Sequence, residues 1–217
     1  LTLPDDHEIR YGYAQEWFDI VQKLWTSEEY FDWEGKYFNL KHVAGDPKPV
    51  NGRPPILNAA GSETGRAFAT DNADYLFTPA IDLTRSVEEI KELKELAKSK
   101  GRDVGVLTFS HVICRETEEE ATALRDRLMG DLADWDAVDN LVNLQFAHAH
   151  DLLAQIKNLF AMGHGGFPLV GTPRQVADGI ITLHETGFSG TTLSFLDYVE
   201  EFPYFRDTVL PKLDAAG

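Results

Sequence analysis

From Pro55 to the C-terminus, short apolar runs alternate with stretches whose apolar residues recur at helical spacing. Pro55–Ala59, Tyr75–Thr78, Val104–Cys114 and Gly190–Phe195 read as strands. Between and after them lie helix signals over Ser62–Asn72, Ser86–Lys100, Thr117 onward, Trp135–Met162, Thr172–Gly187 and Glu201–Leu213. Strands separated by amphipathic helices pair in parallel and carry the helices on their faces, which makes the chain an α/β protein. The boundaries carry their own chemistry. Thr117 and Glu120 form a capping box, Thr172-Pro173 places a cap before a proline at the first helical position, and Gly101 closes the Ser86–Lys100 helix.

The segment before this alternation is different. Tyr13, Trp17, Ile20, Val21 and Leu24 place a helix over Ile9–Trp25, behind a polar lead-in. The aromatic runs Tyr30–Trp33 and Lys36–Leu40 flank Glu34-Gly35 and predict a β-hairpin. The proline-rich stretch Asp46–Pro55 is an extended connector. Four parallel strands fit either an open doubly wound sheet or part of a (β/α)8 barrel; a complete barrel needs eight strands and typically ~250 residues. With 217 residues, the expectation is a single domain representing part of a larger barrel, and the absence of Met at position 1 fits that expectation.

Composition narrows the partners. Thirty-six acidic against 20 basic residues leave a net charge of −16, a field that repels phosphate backbones and anionic lipid. Nucleic acid and membrane surfaces are therefore not expected partners. No apolar run approaches a membrane span, and a single cysteine, Cys114, fits a reducing compartment and excludes an internal disulfide.

Two places can carry chemistry. The turn Ala59-Ala60-Gly61-Ser62-Glu63-Thr64-Gly65 follows an apolar strand and opens a helix. Small residues there admit a ligand close to the backbone, helix-start N–H groups attract an anion, and Ser62 adds a hydroxyl. The plainer reading is an N-cap and a tight turn. His111 lies within the third strand, suited to hydrogen bonding or proton transfer near neutral pH, or simply half-buried and satisfied. His148 and His150 face different sides of a helix and do not make a metal pair; no metal site is expected. Gly163–Gly171 is a lid, a second anion-contacting loop or a plain connector. The acidic run Glu116–Glu120 is a solvated helix start.

Several segments in series carry a resemblance: EWFDIVQKLWTSEEYFDWEGKYFNL, DPKPVNGRPPILNAAGSETGRAFATDNADYLFT, HVICRETEEEA, PLVGTPRQVADGIITLHETGFSGTTLSF and VEEFPYFRDTVLPKL. The chain resembles the bacterial luciferase-like flavin-dependent monooxygenases, in particular the alkanesulfonate, sulfone and pyrimidine monooxygenase branch, over nearly all its length. The resemblance implies the C-terminal half of a (β/α)8 TIM barrel with a β-hairpin insertion. It also implies FMN, supplied in reduced form by a separate NAD(P)H:flavin reductase, and a small organic substrate oxygenated with O2. Ser62 then matches the serine at the FMN phosphate, with Ala60 and Gly61 forming the turn, and His111 matches an active-site histidine. Phe109 and Met162 stand where the alkanesulfonate enzymes carry arginines, and Leu196 where they carry a tyrosine, which argues against a sulfonate. A cytoplasmic homo-oligomer follows family habit. The alternative is a non-catalytic flavin-binding protein with a shortened barrel.

Overall fold

A computed structural model describes residues 7–59, 61–146 and 153–217. The chain divides into two compact units, one formed by residues 1–76 with 96–104, the other by residues 77–95 with 105–217.

In the first unit, α1 (His7–Thr26) is followed by the antiparallel hairpin of β1 (Phe31–Glu34) and β2 (Asn39–Val43). The second hairpin strand starts three residues later than the Lys36–Leu40 run predicts. The reason is tertiary. Glu16 on α1 accepts hydrogen bonds from the Tyr37 and Phe38 N–H groups at 2.9 and 3.0 Å and from Trp33 Nε1 at 3.0 Å. Those amides are taken by a carboxylate instead of a strand ladder, and Tyr13 packs its ring against Tyr37 and Phe38.

The connector then leads to β3 (Leu57–Asn58), α2 (Glu63–Asn72) and β4 (Tyr75–Phe77). β3 and β4 pair in parallel, Leu57 opposite Tyr75 and Asn58 opposite Leu76. Asp74 holds the entry to this pair: its carboxylate accepts from the Ile56 N–H at 2.8 Å and pairs with Arg53. Gln15 and Asn72 exchange side-chain hydrogen bonds at 3.1 and 2.7 Å, tying α1 to α2 beside the buried Phe18, Ala69 and Leu76.

Helix α3 (Leu83–Ser99) ends before Gly101, whose φ of +73° is the left-handed conformation that glycine adopts without strain. In the second unit, β5 (Gly105–Cys114) is central, with β6 (Phe167–Gly171) and β7 (Gly190–Ser194) parallel to it on opposite sides. Its run of buried residues is what a strand covered on both faces requires. Val112 and Cys114 point to one face and pack with Leu169, Val176, Ala177 and Phe205. Ile113 points to the other and packs with Ala121, Leu159 and Met162.

The helices of this unit are α4 (Glu118–Met129), α5 (Trp135–Phe146), α6 (Leu153–Gly163), α7 (Pro173–Thr186), α8 (Tyr198–Thr208) and α9 (Leu210–Asp214). The expected capping box of Thr117 with Glu120 forms, and Thr172 caps α7 before Pro173 as expected, completing a capping box of its own with Gln175. Three expectations need correction. Trp135–Met162 is not one helix: α5 and α6 are separate elements whose apolar faces meet at Val138, Val142 and Ile156. The expected Glu201–Leu213 helix is two: α8 begins at Tyr198, capped by Asp197, and α9 follows from Leu210, while Pro203 lies inside α8 and removes the N–H that would bond the Val199 carbonyl. Gly163–Gly171 is not wholly irregular, because Phe167–Gly171 forms β6.

Candidate functional site

Ser62 is the N-cap of α2, its hydroxyl accepting from the Gly65 N–H at 3.1 Å. One first-turn amide is thereby satisfied, while the others have no carbonyl within the helix to meet. Gly61 and Ser62 are exposed, and a Cβ added at Gly61 would meet nothing within 4 Å. The turn is thus open to the close approach of an anionic group at a helix start. Ala60, the third residue expected there, lies outside the described residues, as do His148 and His150.

His111 is 4% exposed. β5 and β7 are in register so that His111 lies opposite Ser194, and their side chains meet, Nδ1 to Oγ at 2.9 Å. The other ring nitrogen, Nε2, is buried and has no hydrogen-bond partner. Burial holds the imidazole below its ordinary pKa, opposed in part by the charge of Glu201. The ring is therefore neutral at physiological pH, with one nitrogen committed and the other uncommitted. Next to it, Phe109 stacks on Phe77 at 5.7 Å between centroids.

The glycine-rich segment packs directly on this histidine. A Cβ at Gly163 would fall 2.3 Å from His111 Cγ, and one at Gly166 would fall 3.0 Å from the His111 backbone nitrogen. Gly165 needs its glycine for a φ of +83°. Sequence reasoning found His111 and the glycines separately but not their contact, nor Ser194. The strand register that pairs His111 with Ser194 is the signal that finds the latter. Met162 is a buried core residue between Ile113 and Leu159, and Leu196 is 48% exposed.

Beyond the end of β5, Arg115 pairs with Glu201, whose other oxygen accepts from the Leu196 and Asp197 N–H groups at 3.0 and 3.3 Å. Among the described residues no three His, Cys, Asp or Glu side chains converge as a metal-binding group, and no helix is long and apolar enough to cross a membrane.

Parallel strands with interleaved helices, a small-residue turn after one strand and a buried histidine within another define an α/β protein with ligand-binding features at its strands. The family model for luciferase-like monooxygenase matches residues 2–190, and the chain belongs to that family. It is 27% identical over 223 residues to an FMNH2-dependent dimethylsulfone monooxygenase of Pseudomonas fluorescens, covering 95% of this chain and 58% of that protein. It is also 27% identical to the pyrimidine monooxygenase RutA of Allorhizobium ampelinum, covering 96% of this chain and 59% of that protein. The chain therefore spans somewhat over half the length of these curated relatives. Among solved structures, DmoA from Hyphomicrobium sulfonivorans shares the fold with a TM-score of 0.83 at 20% identity, covering all of this chain and 58% of that one. A long-chain alkane monooxygenase does so with a TM-score of 0.80 at 23% identity and the same coverage.

Proposed function

We propose that this chain is the latter part of a (β/α)8 barrel, a single partial domain of an FMN-dependent, two-component monooxygenase that oxygenates a small organic molecule. The observation that carries the reading is the family match over residues 2–190, joined to an open anion-accepting turn at Gly61-Ser62. The dimethylsulfone relatives are FMNH2-dependent by name, which supports the same cofactor here.

The residues present fit that group. The α2 N-terminus, with Gly61 leaving room and Ser62 supplying a hydroxyl, would hold the phosphate of FMN together with Ala60. Reduced flavin, once bound, supplies the electrons that activate O2; the protein supplies orientation, exclusion of water and placed hydrogen bonds. His111 contributes a neutral imidazole with one uncommitted nitrogen, and Phe77 and Phe109 contribute apolar surface beside it. A sulfone, pyrimidine or alkane-like substrate suits this apolar setting better than a sulfonate, since Met162 and Phe109 bring no charge to it. A flavin reductase as partner, assembly into a homo-oligomer and a cytoplasmic location complete the reading.

Anaerobic titration of the full-length protein with reduced FMN tests it. Saturable binding that weakens at least tenfold in a Ser62→Ala, Gly61→Leu double variant is expected. No saturable binding, or binding indifferent to that variant, overturns the proposal.

A further inference from the structure

His111 stands out among the buried polar groups because its two nitrogens have different fates. Nδ1 meets Ser194 Oγ at 2.9 Å, while Nε2 is buried without a partner. A buried polar atom left unpaired is costly, so an orphaned ring nitrogen beside an apolar wall points to a ligand that pairs with it. We propose that Ser194 is a positioning residue for His111: its hydroxyl donates to Nδ1, fixes the ring as the Nε2–H tautomer, and leaves Nε2–H as a donor for an oxygen acceptor on the bound ligand. The proposal deepens the flavin monooxygenase reading and rests on it for the identity of the ligand, although not for the tautomer.

Three observations support it. Among the described residues His111 is the only side-chain hydrogen-bond partner of Ser194. A hydroxyl has a single proton, and donating it to Nδ1 satisfies both atoms in one bond, whereas accepting from Nδ1–H would leave that proton unused. The geometry is also fixed from two sides. The parallel register of β5 and β7 sets His111 opposite Ser194, and Gly163 lies so close to the ring that a Cβ there would be 2.7 Å from Nδ1. The ring is thus bonded on one side by Ser194 and closely approached on another by Gly163. The ligand chemistry follows from the donor: a carbonyl or S=O oxygen pairs with Nε2–H, and a hydroxyl or amide N–H acting as donor does not.

Long-range proton–nitrogen NMR on full-length protein with 15N-labelled histidine reads the tautomer directly, with the His111 signals identified by their loss in His111→Asn. The expected wild-type pattern is a bare Nδ1 and a protonated Nε2. Ser194→Ala is expected to lose the single tautomer and show a mixture, while Ser194→Thr, which keeps the hydroxyl, retains it. Wild-type Nδ1 found protonated, or a Ser194→Ala spectrum equal to wild type, overturns the proposal. Should Ser194→Ala fail to fold, the wild-type and Ser194→Thr spectra decide alone. Adding oxidised FMN and then dimethyl sulfone as probes is expected to shift the Nε2–H signal on binding of at least one. Binding of both without a shift overturns the donor role. Failure of FMN to bind at all counts against the flavin reading, and leaves the tautomer result to judge Ser194 separately.

Discussion

Gly163 rests against the ring of His111, so near that a Cβ on the glycine would lie 2.3 Å from Cγ and 2.8 Å from Cβ of the histidine. A methyl group there forces either the ring or the end of α6 to move, and the ring's bond to Ser194 is lost if the ring moves. Gly163→Ala is expected to destabilise the protein by about 1–3 kcal/mol, as overpacking of a filled interior does. Gly61→Ala is the contrasting case. With open space around its Cβ position, it is expected to change stability by less than about 0.5 kcal/mol. Urea unfolding of both variants against wild type checks the pair.

The lowered pKa of His111 has a consequence for acid stability. Burial disfavours the charged ring in the folded state, so the unfolded chain takes up a proton first as pH falls below the ordinary value of 6.5. The unfolded state then binds more protons, and stability declines as pH drops from 6.5 towards the folded-state pKa. His111→Gln is expected to flatten this part of the profile and to leave the pH dependence above pH 7 unchanged. Denaturant midpoints measured from pH 7.5 to 5 supply the test; equal slopes for the two proteins would count against it.

Glu16 makes a prediction of the same sign in the first unit, at lower pH and from a different cause. Burial alone would raise its pKa, but hydrogen bonds from Trp33, Tyr37 and Phe38 outweigh that and hold the carboxyl below its ordinary 4.5. A lowered carboxylate pKa contributes stability that is present above 4.5 and lost as pH falls through the folded-state value. The hairpin should therefore loosen from α1 on acidification. Glu16→Gln should show that loosening already at neutral pH, because an amide cannot accept as a carboxylate does from all three donors. A tryptophan fluorescence titration of wild type and a single-Trp33 background reports the change.

Cys114 should be chemically silent in the native protein. Burial pushes its thiol up to about 11, with Arg115 opposing and Glu201 reinforcing the shift, and the side chain packs against Val176 and Phe205 in the core. The reactive thiolate is scarce at pH 8 and shielded as well. No labelling by iodoacetamide is expected over an hour in the native state, with full labelling after unfolding in guanidinium. Mass spectrometry counts the adduct.

Much of the fold was legible because its signals are local. Thr117-Glu120 and Thr172-Pro173 announce their helix starts within four residues, and the β-branched run ending at Cys114 announces β5. The hairpin shows where local reading stops. Its sequence places the second strand at Lys36, but Glu16, distant in the chain, captures the Tyr37 and Phe38 amides and delays pairing to Asn39. β6 was hidden for a related reason. Phe167-Pro168-Leu169-Val170-Gly171 looks like a loop from its proline and flanking glycines, yet Pro168 sits near the start of a strand whose partner is β5. The site divides in the same way. Ser62 and His111 carry individual cues, whereas Ser194 and Gly163 acquire meaning only through strand register and close approach.

The alternation of β5 gives the molecule one further property. Even-numbered residues near its end, Val112 and Cys114, belong to the layer beneath α7 and α8, and odd-numbered ones, His111 and Ile113, belong to the opposite side. The imidazole's location is thus a matter of parity. A one-residue insertion between Gly105 and Ser110 would exchange the strand's two sides, driving the histidine to the Val112 position among Val176 and Phe205, whereas a one-residue deletion would set Val112 opposite Ser194. Drift in this segment can proceed by substitution, but changes in its length are confined to steps of two.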